Sequence, residues 1–134
     1  MNSPGDTGSP ADGVAGRGRH GFVRSFSFAG QGIWYAVRTQ RNMRVHVLAA
    51  LAAVGAGLAL RISTADWACI VLAIGLVLTA EALNTVVEAL TDLAAPQFHP
   101  LAKIAKDTAA GAVLIASAAA LAAGLVIFLP RLLN

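Results

Sequence analysis

Glu81, Asn84, Thr85, Glu88 and Asp92 stand 3, 4, 7 and 11 residues from the first of them. At about 100° per residue those spacings return to one helical face. The stripe carries two glutamates, an aspartate, a carboxamide and a hydroxyl, while Leu83, Val86, Val87 and Leu90 occupy the rest of the helix. Ionised carboxylates can accept a proton from a reacting hydroxyl. They can also hold a hard cation such as Mg²⁺, which takes one or two protein carboxylates together with substrate phosphates. Downstream, Pro96-Gln97-Phe98-His99-Pro100 reads as a turn with an exposed aromatic and a histidine. Pro100 suits the first position of a helix whose opening turns carry Lys103, Lys106 and Asp107. A helix N-terminus with two lysines attracts phosphate. The plainer alternative is ordinary surface charge, with Lys103 and Asp107 paired at i, i+4.

The elements that must position these residues are set by hydrophobicity. Of 134 residues, 57% are hydrophobic and 13% charged, with a mean hydropathy of +0.68. Soluble domains carry roughly 25% charged residues. A soluble fold this poor in charge would show water large apolar patches, so a soluble globular enzyme is disfavoured. Cys69 is the single cysteine and excludes an intrachain disulfide scaffold.

Three apolar segments follow one another: Val45 to Leu60, Trp67 to Leu90 around the two glutamates, and an uncharged stretch from Thr108 to Leu129. A spanning helix needs about 20 mostly apolar residues. The expected fold is all-α and membrane-integral, with spans over about 42–60, 67–93 and 101–129. Ser63-Thr64-Ala65-Asp66 resembles the start of the second. Reading the first span as a cleaved signal peptide fails, because it begins more than forty residues in and the chain beyond it is more hydrophobic still.

Residues 1–21 are rich in Gly and Pro without an apolar pattern, and read as a disordered tail. Phe22 to Gln40 differs: Phe22, Phe26, Ala29, Ile33 and Val37 recur at helical spacing, with Arg24, Gln31 and Arg38 off that stripe. This predicts an amphipathic helix at the membrane surface, interrupted near Gly30 and Gly32; packing against protein is the alternative. Residues 22–134 then form one integral-membrane domain.

Charge orients it. Eight of ten cations (Arg17, Arg19, Arg24, Arg38, Arg41, Arg44, Lys103 and Lys106) fall on one side of a three-span chain, and only Arg61 and Arg131 on the other. The positive-inside rule puts the N-terminus in the cytoplasm and the C-terminus outside the cell membrane. The isoelectric point near 9.8 is therefore a topology signal, and no nucleic acid is invoked. Stripes of small residues (Ala49, Ala53 and Gly57; Ala112, Ala116, Ala120 and Gly124) favour close helix contact and self-association.

An acidic residue at the centre of a spanning helix costs on the order of 3 kcal/mol, so the stripe calls for a function. An ion pathway needs polar groups through the whole membrane, and the outer halves of all three spans are bare. Structural glue explains Asn84 and Thr85 better than three carboxylates. A metal-assisted site at the cytoplasmic interface explains both the charge and its depth gradient, with Glu81 deepest and Asp92 near water.

The segment Glu81-Ala82-Leu83-Asn84-Thr85-Val86-Val87-Glu88-Ala89-Leu90-Thr91-Asp92 resembles the signature of the bacterial diacylglycerol kinase family, E-x-x-N-[ST]-x-x-E-x-x-x-D. His99-Pro100-Leu101-Ala102-Lys103-Ile104-Ala105-Lys106-Asp107-Thr108-Ala109-Ala110-Gly111-Ala112-Val113 resembles the family's second block. Arg41-Asn42-Met43-Arg44-Val45-His46 is similar to the approach to its first span. The similarity covers about Phe26 to Leu129 and is nearer the undecaprenol kinase branch.

The resemblance implies a homotrimer whose active sites lie at the cytoplasmic interface and move the γ-phosphate of MgATP to a lipid hydroxyl. By motif position Glu81 would be the general base, with Asn84 supporting it. Glu88 would bind Mg²⁺ and nucleotide. Lys106 and Asp107 would contact ATP, and Phe98, His99 and Phe28 would line its site. Asn84, Asn42, Arg44 and His46 would lie on the lipid-substrate side, and Asp92 has no assigned role. Where relatives carry a second glutamate ligand to Mg²⁺, this chain has Gln40, a weaker oxygen donor. No GxxxxGK[ST] loop is present, so another device must hold the nucleotide. Gln40 also motivates one alternative, a noncatalytic membrane scaffold with a degenerate site; a small channel or holin-like pore is a third reading, against which the bare outer halves of the spans speak.

Overall fold

The computed structural model describes residues 17–133, and over them the chain is helical without strands. Four helices follow in order: α1, Arg17–Thr39; α2, Arg41–Ala59; α3, Thr64–Ala94; and α4, Pro100–Leu133. The expected disordered tail lies outside the described residues as far as residue 16, but residues 17–21 belong to α1. That helix also runs unbroken through Gly30 and Gly32, where an interruption was expected. A glycine costs a helix only about 1 kcal/mol, which its neighbours can carry. The chain divides into two units at Trp34 and Tyr35. In the first, Phe22, Phe26, Phe28, Ile33 and Trp34 are all exposed.

The second unit holds α2, α3 and α4, each long and apolar enough to cross a membrane. Leu72, Leu76, Leu114, Ile115 and Leu121 point outward, the reverse of a water-soluble fold. Hydrocarbon is the solvent such a surface requires, and the chain is a membrane protein. The observed bounds extend the expected second and third spans at both ends, because caps rather than hydropathy end these helices. At about 1.5 Å per residue, α3 is about 46 Å long, well beyond a hydrocarbon core of about 30 Å.

Caps explain the sharp reversal between α2 and α3. Ile62 N–H donates to Gly57 O at 3.2 Å and Arg61 N–H to Leu58 O at 3.3 Å. This is the Schellman closure, and it places Arg61 at φ 49°, a position glycine usually takes. Ser63 then caps α3: its Oγ accepts from Asp66 N–H at 3.2 Å, and Asp66 Oδ2 accepts from Ser63 N–H at 3.1 Å. The reciprocal pair is a capping box.

Two ion pairs mark the register of α3 against α4. Arg131 holds Asp66 at 2.6 Å at one end, and Lys106 holds Asp92 at 2.5 Å at the other. The two helices are therefore antiparallel, and α2 runs beside α3 with Gln40 level with Glu88. Ile62, Ile70 and Ile127 form the buried cluster, with Trp67 and Phe128 against it. A Cβ on Gly57 would lie 2.9 Å from Trp67 Cη2, so only glycine lets the indole pack this close. Apolar packing is thus concentrated near the Asp66 end, away from the carboxylates.

Candidate functional site

The acidic stripe of α3 is one face, as its spacing requires, and burial along it is graded. Glu81 is 1% exposed, Asn84 and Thr85 are buried, Glu88 is partly buried and Asp92 is exposed. Thr85 Oγ1 donates to Glu81 O at 3.0 Å, a bond within the helix that leaves the glutamate side chain untouched.

Glu88 lies between two amides. Gln40 Nε2 donates to its Oε2 at 3.2 Å from the start of α2, and Asn84 Nδ2 donates to its Oε1 at 3.0 Å. Gln40 is the N-cap residue of α2, in an extended conformation and without a side-chain cap bond of its own, so its amide is available to reach across. The substitution singled out in the sequence therefore adjoins the carboxylate with which it was expected to cooperate.

Two oxygens of the cluster have no partner. Glu81 Oε2 and Asn84 Oδ1 are buried and accept no hydrogen bond. An unsatisfied buried acceptor costs about 1–3 kcal/mol, more if charged. Both oxygens are thus open to a hydrogen-bond donor. The ionisable side chains that act electrostatically on Glu81 are His46, on α2, and Glu88.

The lysine-bearing segment folds against this end. Leu101 N–H donates to His99 Nδ1 at 3.2 Å and Lys103 N–H to His99 O at 3.1 Å, so His99 caps α4 with side chain and backbone together. Lys106 crosses the turn to Asp92, which gives the motif aspartate a contact that sequence reasoning had left without a role. Lys103 pairs with Asp107 one turn on, the plain surface arrangement expected of i, i+4 charges. Phe98 is 83% exposed, and His99 borders a cleft of about 430 Å³ between the end of α3 and the start of α4. Asn42 and Arg44 are exposed on α2, and His46 is half-buried. Phe28, in the unit that ends at Trp34, is exposed.

No group of three or more His, Cys, Asp or Glu side chains able to hold a metal occurs among the described residues. A cation shared with a phosphorylated substrate needs only one or two carboxylates, however. Both Glu88 oxygens accept from the amide N–H groups of Gln40 and Asn84, so a cation at Glu88 would have to turn those amides aside; the free oxygen beside it is the buried Oδ1 of Asn84.

Ser117 drew no notice in the sequence. It lines a groove of about 530 Å³ with His46, Ala49, Ala53, Ala120 and Gly124. The two small-residue stripes thus border this groove, with Gly57 packed under Trp67 and Ala116 buried.

Comparison with known proteins agrees with these features. The sequence profile of Prokaryotic diacylglycerol kinase matches residues 27–128. The chain is 45% identical over 111 residues to Undecaprenol kinase of Bacillus subtilis (strain 168), covering 83% of this chain and 90% of that protein. It is 44% identical over 111 residues to Diacylglycerol kinase of Synechocystis sp., covering 82% of this chain and 63% of that one. A family match over most of the chain, on a three-span fold with the acidic stripe in place, means that this protein belongs to the prokaryotic diacylglycerol kinase family, whose members are lipid kinases.

Proposed function

We propose that the protein transfers the γ-phosphoryl group of ATP to the hydroxyl of a membrane lipid alcohol at the cytoplasmic face of the cell membrane. The observation that carries this reading is the graded stripe, with a fully buried glutamate at its deep end and paired, accessible charges at its wet end. Phosphoryl transfer asks a protein mainly for positioning and charge neutralisation.

In this reading Glu81 accepts the proton of the lipid hydroxyl. The lipid oxygen then bonds to the γ-phosphorus as the bond from that phosphorus to the bridging oxygen breaks. The products are a lipid phosphate and ADP, and the proton passes from Glu81 to water. Asn84 holds the carboxylates in register. Lys106, at the wet end, meets the phosphates by exchanging Asp92 for them; Lys103 stands about one turn before it, and Asp107, the next residue, also contacts the nucleotide. Phe98 and His99 offer an apolar edge to the adenine, while Asn42, Arg44 and His46 attend the lipid side. Glu88, with the Gln40 and Asn84 amides beside it, would hold Mg²⁺, which screens phosphate charge during transfer.

Undecaprenol is the favoured acceptor and diacylglycerol the second. The support is the 45% identity to a protein named for the former, across 90% of that protein's length. The functional assembly in this reading is a homotrimer, with α1 at the membrane surface and the N-terminus cytoplasmic. The exposed aromatic side chains of α1 support the surface location, and the eight-to-two division of cations supports the orientation. Purified protein in mixed micelles with labelled ATP, given the two lipids side by side, tests the acceptor. Faster labelling of undecaprenol is expected, and faster labelling of diacylglycerol reverses the order.

A further inference from the structure

We propose that Ser117 is a lipid-binding residue that hydrogen-bonds the polar end of the acceptor, with the hydrocarbon chain lying in the groove between α2 and α4. This deepens the lipid-kinase reading and rests on it for the identity of Glu81 as base.

The register places Ser117 at the level of Glu81. From the Asp92–Lys106 pair, about eleven residues back along α3 reach Glu81 and about eleven forward along α4 reach Ser117. Gln40 and Glu88 bring His46 of α2 to nearly the same level, where it acts on Glu81 electrostatically. One polar side chain from each spanning helix therefore lies at about the same level of the bundle.

The Ser117 hydroxyl has no partner and is buried at the groove's wall, so a ligand there meets it by a rotation about χ1. An unpartnered hydroxyl is unusual in this chain: Ser25, Thr39, Thr85, Thr91 and Thr108 all donate to the carbonyl one turn back. In a membrane no water stands by to satisfy such a group. Ser117 and His46 are the polar side chains in the lining of the groove, and the remainder are aliphatic apart from Phe128. On α4 the lining runs from Ser117 to Leu132, about 22 Å at helical rise, away from the carboxylates. Val77 and Leu78, about one turn from Glu81, form its α3 wall. A slot that is apolar along its length and polar only beside the buried glutamate matches an amphiphile whose single polar end must be brought to that glutamate. A second copy's helix would fill the apolar length and leave the hydroxyl unanswered.

The test uses the full chain with Ser117→Ala and Ser117→Thr. Ser117→Ala should raise the KM for undecaprenol about three- to tenfold, the range for one neutral hydrogen bond, and leave the KM for ATP unchanged. Ser117→Thr, which keeps the hydroxyl, should restore much of the loss. An unchanged lipid KM, or equal rises in both KM values, overturns the assignment. Native mass spectrometry of the Glu81→Gln protein with added undecaprenol reads the groove without turnover, so it remains informative if the kinase reading itself fails. Adding Ser117→Ala should reduce lipid retention several-fold with the oligomer mass unchanged. Unchanged retention, or a loss of oligomer in its place, would show that the hydroxyl serves packing or that another copy fills the groove.

Discussion

Gln40 and Glu88, 48 residues apart in sequence, are joined by a 3.2 Å hydrogen bond from amide to carboxylate. With Asn84 on the other oxygen, both oxygens of Glu88 are occupied by neutral donors. A second carboxylate at position 40 would repel Glu88 until a cation came between them. Gln40→Glu should therefore lower the Mg²⁺ concentration for half-maximal rate several-fold. It should also lower the unfolding temperature in chelator, relative to the parent protein, and lose that deficit in Mg²⁺. An unchanged Mg²⁺ titration would remove position 40 from the metal site.

Glu81 is expected to be indispensable to turnover and dispensable to assembly. Glu81→Gln keeps the shape and removes the proton acceptor, at a typical cost of 10²- to 10⁴-fold for a general base. Lipid phosphorylation should fall by about that factor, with the oligomer unchanged by size-exclusion chromatography with light scattering. Because the side chain is buried with an unpartnered oxygen, the neutral amide should not lower the thermal midpoint.

The Lys106–Asp92 pair separates function from stability. Its side chains are 39% and 70% exposed, and pairs of that kind contribute about 0–1 kcal/mol. Lys106→Ala should leave the unfolding midpoint within a degree or two while raising the KM for ATP at least tenfold. Asp92→Asn, by releasing the lysine, should alter the ATP dependence far less than removing the lysine does. A large stability loss with unchanged ATP dependence would make the pair a structural tie.

Gly57 tests the packing at the opposite end. A methyl group there meets Trp67 and Ile62 at 2.9 and 3.0 Å, and overpacking typically costs about 1–3 kcal/mol. Gly57→Ala should lower the thermal midpoint without changing either KM, since the clash lies at the far end of the bundle from Glu81. A changed lipid KM would show that the two ends are coupled.

Sequence spacing shows which side chains share a helix, and far less about which helices bring them together. The stripe from Glu81 to Asp92 is legible because 3.6-residue periodicity is local, and Lys103–Asp107 is legible for the same reason. The three spans are legible because hydrocarbon imposes length and composition together. Gln40 beside Glu88 and Lys106 on Asp92 depend on how α2 and α4 dock on α3, which periodicity does not encode; family resemblance pointed to Gln40 but gave Asp92 no partner. Ser117 left no trace, being a lone small polar residue in an alanine-rich helix. Its meaning comes from the antiparallel register that two ion pairs at opposite ends of α3 mark. The interruption expected at Gly30 and Gly32 failed because propensity is a weak prior over a 23-residue helix.

The most direct test of the central claim is transfer of the ³²P label from γ-labelled ATP to a lipid alcohol by purified protein in micelles, with Glu81→Gln in parallel. Label in lipid phosphate that requires both the lipid alcohol and Glu81 is the predicted result. ATP hydrolysis without lipid labelling, or lipid labelling that survives Glu81→Gln undiminished, would contradict it.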